Sequence, residues 1–171
     1  MDTIDLKNPT LYINRELSLL EFNRRVIEQA KDENLPLLER LRFLCIASTN
    51  LDEFFEIRVA GLKQQVKYGS TQTGPDNLSP TEVLTRVSET AHQFVEEQYS
   101  VWNDLIIPAM AKDNIRLLRR SQWKSQTSRW IHRYFKDEVL PVLSPIGLDP
   151  AHPFPKVQNK NLYFIISLDG K

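Results

Sequence analysis

The chain has 171 residues, of which 41% are hydrophobic and 26% are charged, so it is long and apolar enough to fold around a core. Lys plus Arg and Asp plus Glu both number 22, and this zero net charge gives no overall indication of a polyanionic partner. The apolar runs are far shorter than the roughly 20 residues of a membrane span, and the N-terminus lacks the basic and apolar parts of a signal peptide. We therefore expect a folded cytoplasmic protein with no transmembrane segment.

The first part of the chain has the apolar spacing of amphipathic helices. A first helix is predicted from about Leu19 to Lys31, with Ser18 opening a capping box. Pro36 suits the first turn of a second helix, which the polar stretch "ASTN", residues 47 to 50, is predicted to interrupt. A third helix is predicted from near Leu51 to Lys67, and an exposed loop follows it.

The stretch "SPTE" predicts the start of a long fourth helix. Ser79 is the predicted cap, Pro80 takes the first helical position and Glu82 reaches back to the cap. Pro108 must kink or restart this helix. Its predicted buried face consists of Val83, Val87, Ala91, Phe94, Val95, Trp102, Leu105 and Ile106. Residues 1 to 116 are thus predicted to form a helical bundle with short connections.

The character of the sequence changes after residue 116. A helix near Ser125 to Val139 is predicted, and residues 140 to 155 contain five prolines, which exclude regular helix. The closing stretch "NLYFIISLDGK", residues 161 to 171, has the composition of a strand. Because a lone strand cannot pair with itself, residues 117 to 171 are predicted to be an incomplete second domain.

The usual one-segment signatures of catalytic and metal sites are absent. The sequence contains no GxxxxGK[ST], GxGxxG, HExxH or GxSxG. His92, His132 and His152 lie 40 and 20 residues apart, too far for a helical metal pair, and each is predicted to be a surface or hydrogen-bonded histidine. The lone Cys45 is predicted to be a small core residue. No catalytic residue and no metal ligand is therefore predicted in this chain.

Two constellations of polar residues remain as candidate sites. In "ASTNLDEFFEIRV", Asn50 precedes Glu53 by three residues and could cap the third helix, with Asp52 and Glu53 at its positive end. Alternatively, the same polar break leaves an amide and backbone N–H groups able to bind a ligand. The spacing alone does not decide between the two interpretations.

The second constellation is the basic segment, residues 116 to 136, which contains seven Lys or Arg residues and no acidic residue. The cations would attract a polyanion, and four aromatic side chains lie among them, as in grooves that bind single-stranded nucleic acid. The alternative is an amphipathic helix with a solvated basic face and its aromatic side chains in the core.

The residues themselves resemble a known family. "YINRELS", "FN.RV", "PLLERLRFL" and "NLDEFFEIRVAGL" occur in one order between residues 12 and 66, and together they closely resemble the start of the bacterial polyphosphate kinases of the first type. The likeness is fainter in "WIHRYFKDEVLPVLSPI". The resemblance implies a mainly α fold: a helical N-terminal domain, here residues 1 to 116, and then the truncated beginning of an α/β (α+β) head domain, residues 117 to 171.

The resemblance also implies a function for the parent protein. That family reversibly transfers the terminal phosphate of ATP to polyphosphate through a phosphohistidine, with Mg²⁺, and its catalytic histidine and magnesium ligands lie in C-terminal domains. This chain alone is then expected to be inactive and to bind no cofactor. The Asn of the family motif "NLDEF", Asn50 here, is expected to help complete the ATP site, whereas Asp52 and Glu53 chiefly start a helix.

The expected partners follow from the same resemblance. They are ATP or ADP, polyphosphate and further copies of the chain, without nucleic acid; a peripheral membrane association is compatible with the sequence. The alternative function is a helical oligomerisation or interaction module without a ligand role, for which exposed aromatic side chains on the bundle would be suitable.

Overall fold

The computed structural model describes residues 5 to 168, and within them the chain forms helices and no strand. The chain divides into two compact units, Met1–Leu117, here called the helical unit, and Leu118–Lys171, called the C-terminal unit. The α-helices of the described residues are α1 (Arg15–Lys31), α2 (Leu37–Glu53), α3 (Ala60–Lys67), α4 (Pro80–Ser100), α5 (Ile107–Lys112) and α6 (Ser125–Tyr134). Turns of π-helix, Phe54–Val59, Val101–Ile106 and Phe135–Val139, follow α2, α4 and α6 directly. The predicted mainly α fold is confirmed.

Helix α1 begins earlier than the sequence predicted, so the predicted capping role of Ser18 is wrong. The N-cap is Asn14, whose Oδ1 accepts hydrogen bonds from the backbone N–H groups of Glu16 and Leu17, both at 3.1 Å. The Nδ2 of Asn14 donates to Asp76 in the long loop before α4, at 2.6 Å. An amide side chain that is fixed by a distant carboxylate in this way can cap a helix four residues ahead of the predicted position.

The predicted break at residues 47 to 50 is wrong as well. Helix α2 runs through this stretch to Glu53, and the carbonyl of Asn50 accepts an ordinary helical hydrogen bond from the N–H of Phe54. The hydroxyl of Thr49 donates to the carbonyl of Cys45 in the same helix, at 3.1 Å, so this side chain is accommodated without breaking the helix. Asn50 therefore caps no helix, and Asp52 and Glu53 lie exposed in the last turn of α2 rather than at a helix start.

Helix α4 begins as the sequence predicted. Ser79 is the N-cap, Pro80 occupies the first turn, and the side chain of Glu82 accepts hydrogen bonds from the backbone N–H of Ser79 at 2.8 Å and from its hydroxyl at 2.6 Å. Pro108 lies at the start of α5, after the π-helical turn, which confirms the predicted restart. Of the predicted buried face, Leu105 is an exception because it is 40% exposed.

The capping box predicts a pH dependence of stability. The hydrogen bonds from Ser79 lower the pKa of Glu82 below its ordinary value of 4.5. A carboxyl group whose pKa is depressed in the folded state stabilises the fold above its unfolded pKa and loses that contribution as the pH falls through the folded pKa. In Glu82→Gln, the free energy of unfolding should therefore fall less between neutral pH and pH 3 than in the wild type, as measured by urea unfolding. Glu96→Gln on the exposed face of α4 is the control; equal changes in the two variants would contradict the prediction.

The core of the helical unit lies between α1, α2 and α4. One cluster of buried side chains contains Ile27, Ala30, Leu44, Ala47, Phe94, Val101 and Ile106, and a second contains Leu20, Phe54, Val59, Val83, Val87 and Ala91. The short connection between α1 and α2, residues 32 to 36, makes these two helices antiparallel neighbours. Arg40 is buried at the edge of this core, where the Nε of Arg40 donates to the carbonyl of Ala30 in the last turn of α1, at 2.9 Å.

An ion-pair network joins α1 to α4 outside the core. Glu97 of α4 accepts from Arg24 at 3.0 Å and from Lys31 at 2.6 Å, and Lys31 also contacts Glu28 at 2.7 Å. Burial alone would lower the pKa of Lys31, but the hydrogen bonds and charges of Glu28 and Glu97 outweigh it and raise this pKa above its ordinary value. The ammonium group therefore remains charged throughout the physiological pH range, and α1 and α4 stay linked.

The C-terminal unit contains α6 and a proline-rich segment, residues 140 to 155, that has a 3₁₀ turn at Leu140–Val142 and no α-helix, as the prolines predicted. The predicted strand is wrong for residues 161 to 168, which form no strand; residues 169 to 171 lie outside the described residues. The physical reason is the one that limits any lone strand, namely that its N–H and C=O groups need a partner strand. No helix between residues 5 and 168 has the length and apolar character required to span a bilayer.

Candidate functional site

Asn50 lies in the last turn of α2, within the continuous helical segment formed by α2, the π-helical turn and α3. Its side chain is half-buried at the boundary between the core and the surface. It faces α1, where its Nδ2 donates a hydrogen bond to the Oδ1 of Asn23 at 3.1 Å. The side chain is thus held by a tertiary contact rather than by a cap.

Asn23 connects Asn50 to the backbone of α2. It is only 4% exposed, and its Nδ2 donates to the carbonyl of Ala47 at 2.8 Å. Because a carbonyl can only accept, the nitrogen of the Asn23 amide must face Ala47 and its oxygen must face Asn50. The two side chains therefore form a directed chain of hydrogen bonds, here called the amide relay, from Asn50 through Asn23 to Ala47.

The amide relay leaves part of Asn50 available to a ligand. Within the described residues no hydrogen bond reaches its Oδ1, and no buried polar side-chain atom there is without a partner. The Oδ1 atom is therefore accessible. An accessible amide oxygen can accept a hydrogen bond from a nucleobase or ribose edge, but the amide cannot transfer protons near neutral pH.

The sequence reasoning missed Asn23, although a signal for it was present. Asn23 lies between Leu20 and Ile27 at helical spacing, so it is on the buried face of α1, where an unpaired amide would be costly. Phe22, which belongs to the apolar pattern of the first predicted helix, is 58% exposed. A polar residue on an apolar helix face is thus a better pointer to a hydrogen-bonded site than the exposed polar stretch itself.

The remaining candidate residues lie at the surface. His92 faces the carbonyl of Ser88 in its own helix, and His152 pairs with Asp149, both through Nδ1, which confirms the prediction of surface histidines. The predicted core position of Cys45 is wrong, because the outward face of α2 leaves it exposed. No described side chains group three or more metal-binding residues. The part of the chain that the structure describes therefore offers no set of ligands that fits Mg²⁺.

The basic segment differs from the second of its predicted alternatives, the amphipathic helix with its aromatic side chains in the core. Its aromatic side chains are not in a core: Trp130 is 62% exposed and Tyr134 is 51% exposed, and their rings stack with centroids 5.4 Å apart. Arg116 belongs to the helical unit, whereas the other six cations of the segment lie in the C-terminal unit. The C-terminal unit therefore presents both charged and aromatic groups to solvent.

Comparison with known proteins assigns both units. The family model described as the polyphosphate kinase N-terminal domain matches residues 12 to 118, and the model described as the polyphosphate kinase middle domain matches residues 126 to 171. The two matches follow one another along the chain and fall on the helical unit and the C-terminal unit. They define the class of protein as one with consecutive polyphosphate kinase N-terminal and middle domains.

Curated relatives and a solved structure agree with this class. Polyphosphate kinase from Pseudomonas putida is 55% identical over 165 residues, 96% of this chain and 23% of the relative. The proteins of that name from Pseudomonas aeruginosa and Xylella fastidiosa are 52% and 50% identical, over 96% of this chain and 24% and 23% of their own lengths. The crystal structure of polyphosphate kinase from Porphyromonas gingivalis is 29% identical, with a TM-score of 0.71 over 85% of this chain and 20% of that one.

The chain belongs to the polyphosphate kinase family. It spans about a quarter of the length of the curated relatives it matches.

Proposed function

We propose that this chain supplies the N-terminal part of a polyphosphate kinase, which reversibly transfers the terminal phosphate of ATP to polyphosphate through a phosphohistidine. In this proposal residues 1 to 116 form the N-terminal domain and residues 117 to 171 begin the α/β head domain. The chain has no catalytic histidine of its own and is inactive alone. ATP or ADP and polyphosphate are the substrates, and Mg²⁺ belongs to the complete enzyme, which acts in the cytoplasm.

The role we propose for the helical unit is to complete the ATP site with Asn50. The observation that supports this role is the amide relay, which fixes the orientation of a half-buried amide and leaves its Oδ1 accessible. A side chain that is already held in one conformation loses little entropy when it binds a ligand. The rigid helical segment around Asn50 serves the same purpose, because sites on helices are more precise than sites on loops.

Asn50 binds and orients in this mechanism and does no chemistry. Its amide pairs with a polar edge of the nucleotide, while phosphoryl transfer depends on a histidine nucleophile and on cationic groups that stabilise the transferring charge. Correct placement of the nucleotide brings the terminal phosphate in line with the nucleophile, and such placement is itself a large contribution to the rate. Asn50 therefore acts on the Michaelis constant for ATP more than on the chemical step.

Replacement of Asn50 by alanine in the complete kinase tests this role. We expect nucleotide binding to weaken by the loss of one or two hydrogen bonds, roughly 1 to 3 kcal/mol, so the KM for ATP should rise about 5- to 150-fold. The phosphohistidine should still form at high ATP concentration. The measurement is initial-rate kinetics with varied ATP at saturating polyphosphate.

Asn103→Ala is the matched control, since Asn103 is also in the helical unit but is exposed on the π-helical turn after α4. This variant should keep the wild-type KM. Equal KM values for wild type and Asn50→Ala would exclude a nucleotide role for Asn50, whatever happens to the stability of the variant.

A second function, oligomerisation through the helical unit, is favoured by a separate observation. Phe22, Phe55 and Tyr99 are 58%, 42% and 60% exposed, which is unusual for large aromatic side chains and suits a contact between subunits. Gel filtration at several protein concentrations, with and without ATP, tests it. Strong self-association that ATP does not change, together with an unchanged KM in Asn50→Ala, would favour an interaction module over a nucleotide site.

A further inference from the structure

We propose that α6 and the turn before it form a binding surface for inorganic polyphosphate, an inference that rests on the proposed function and adds to it a named site in the C-terminal unit. The surface consists of a row of cations on α6, here called the basic stripe, and of an adjoining groove. The basic stripe is Arg129, Arg133 and Lys136. Neither the family matches nor the relatives' names assign such a site.

The three cations of the basic stripe lie on one side of the helix. They occupy positions i, i+4 and i+7 of α6 and its π-helical continuation, so their side chains are neighbours at intervals of about 5 to 6 Å. All three are exposed, and none of their side chains forms an ion pair or a hydrogen bond with any residue between 5 and 168. Asp137 and Glu138 follow directly in the chain but do not pair with them.

A row of like charges without counter-charges destabilises the helix, and a bound anion would remove this destabilisation. Cations spaced by four residues on a helix repel each other and destabilise it by a few tenths of a kcal/mol per pair. An extended polyanion along the row reverses the sign of these interactions and releases its own counterions. The forked guanidinium groups of Arg129 and Arg133 are well suited to phosphate oxygens.

A groove next to the basic stripe contains further phosphate-binding groups. It has a volume of about 340 Å³ and lies between α6 and the turn Arg120–Gln122. The guanidinium group of Arg120, the hydroxyl of Ser128 and the imidazole of His132 contribute donors that favour phosphate. The complete lining is Arg120, Trp123, Ser128, Ile131, His132 and Phe135. Three of these residues are on α6 and Phe135 begins its π-helical continuation, so the groove and the basic stripe share one helical segment.

The arrangement of the aromatic rings favours inorganic polyphosphate over single-stranded nucleic acid. Nucleic-acid grooves present separate ring faces on which successive bases stack. Trp130 and Tyr134 instead stack on each other with an angle of 13° between the rings, so each covers one face of its neighbour. The cations remain fully available while the aromatic faces are partly used, as suits a ligand that has phosphates and no bases.

The test is the affinity of the 171-residue chain for polyphosphate of defined length. The triple variant Arg129→Gln, Arg133→Gln, Lys136→Gln should bind at least roughly tenfold more weakly at low salt, and the slope of log affinity against log salt should fall by about 2. The control changes three exposed cations of the helical unit, Arg25→Gln, Lys63→Gln and Arg86→Gln, and alters the net charge equally. Glutamine keeps the helix propensity close to that of Lys and Arg, and circular dichroism confirms equal folding.

Three results would overturn the proposal. The first is wild-type affinity in the stripe variant, and the second is an equal loss in the control, which would indicate a general charge effect. The third is tighter binding of a single-stranded oligonucleotide than of polyphosphate, with a loss for both ligands in Trp130→Ala, which would indicate a nucleic-acid surface. None of these results affects the role of Asn50, since that role is measured separately by the KM for ATP.

Discussion

Replacement of Phe94 by alanine is expected to destabilise the helical unit by about 3 to 5 kcal/mol. Phe94 is completely buried in the cluster that joins α1, α2 and α4, where it packs with Ile27, Ala47 and Ile106. Removal of its ring loses the transfer free energy of the ring and leaves a cavity that three rigid helices cannot close. Because small proteins are stable by only about 5 to 15 kcal/mol, this is a large share of the total.

The measurement is urea unfolding of the 171-residue chain, followed by circular dichroism of the helices. Phe22→Ala is the matched control, because the chemical change is identical but Phe22 is 58% exposed on α1. That variant should change the free energy of unfolding by less than about 0.5 kcal/mol. Similar losses in the two variants would contradict the position of Phe94 in the core.

Replacement of Asn23 by aspartate is expected to have the second largest effect, roughly 2 to 4 kcal/mol near neutral pH. The change keeps the shape of the side chain and exchanges one donor for an acceptor. The nitrogen that donates to the carbonyl of Ala47 at 2.8 Å becomes a carboxylate oxygen facing that carbonyl, in a position only 4% exposed. Burial and the facing carbonyl together disfavour the charged form of the new carboxyl group.

The pH dependence of this variant distinguishes the amide relay from simple packing. Burial raises the pKa of the new carboxyl group in the folded state, and its protonated form can donate to Ala47 as the amide does. The destabilisation relative to wild type should therefore be complete above the folded pKa and should shrink as the pH falls towards the unfolded value of about 4. A destabilisation independent of pH would contradict the directed relay.

The control for this experiment is Asn103→Asp, the same exchange at an exposed position of the helical unit. It should change stability by only a few tenths of a kcal/mol. In the complete kinase, Asn23→Asp keeps an oxygen that can accept from Asn50, so the KM for ATP should change less than in Asn50→Ala. This comparison separates the contribution of Asn23 to the stability of the helical unit from its effect on the orientation of the Asn50 amide.

The features that sequence reasoning predicted well depend on neighbours within one or two helical turns. The capping box of Ser79 and Glu82 is complete within four residues, and the buried face formed by Val83, Val87 and Ala91 follows directly from the helical period. The resemblance identified the family because whole motifs retain their order. These signals require no knowledge of what packs against the helix.

The errors occurred where a distant contact outweighed a local preference. The stretch 47 to 50 contains weak helix formers, but each costs only a fraction of a kcal/mol in a helix. Burial of Leu44 and Ala47 in the core stabilises the continued helix by more than this cost. The polar side chains that were expected to break the helix find partners instead: Thr49 in its own helix and Asn50 across the bundle. Similarly, Asp76 fixes Asn14 as the cap of α1 from 62 residues away.

The sequence by itself determined the helical character of the chain, the start of α4 and the family to which the chain belongs, because periodicity, capping and motif order are properties of consecutive residues. Only the tertiary structure decided that Asn50 lies within a helix and is oriented by Asn23, and that Trp130 and Tyr134 are exposed beside the basic stripe. The physical reason is that hydrogen bonds and burial between separate helices depend on their packing, which no local pattern of residues specifies.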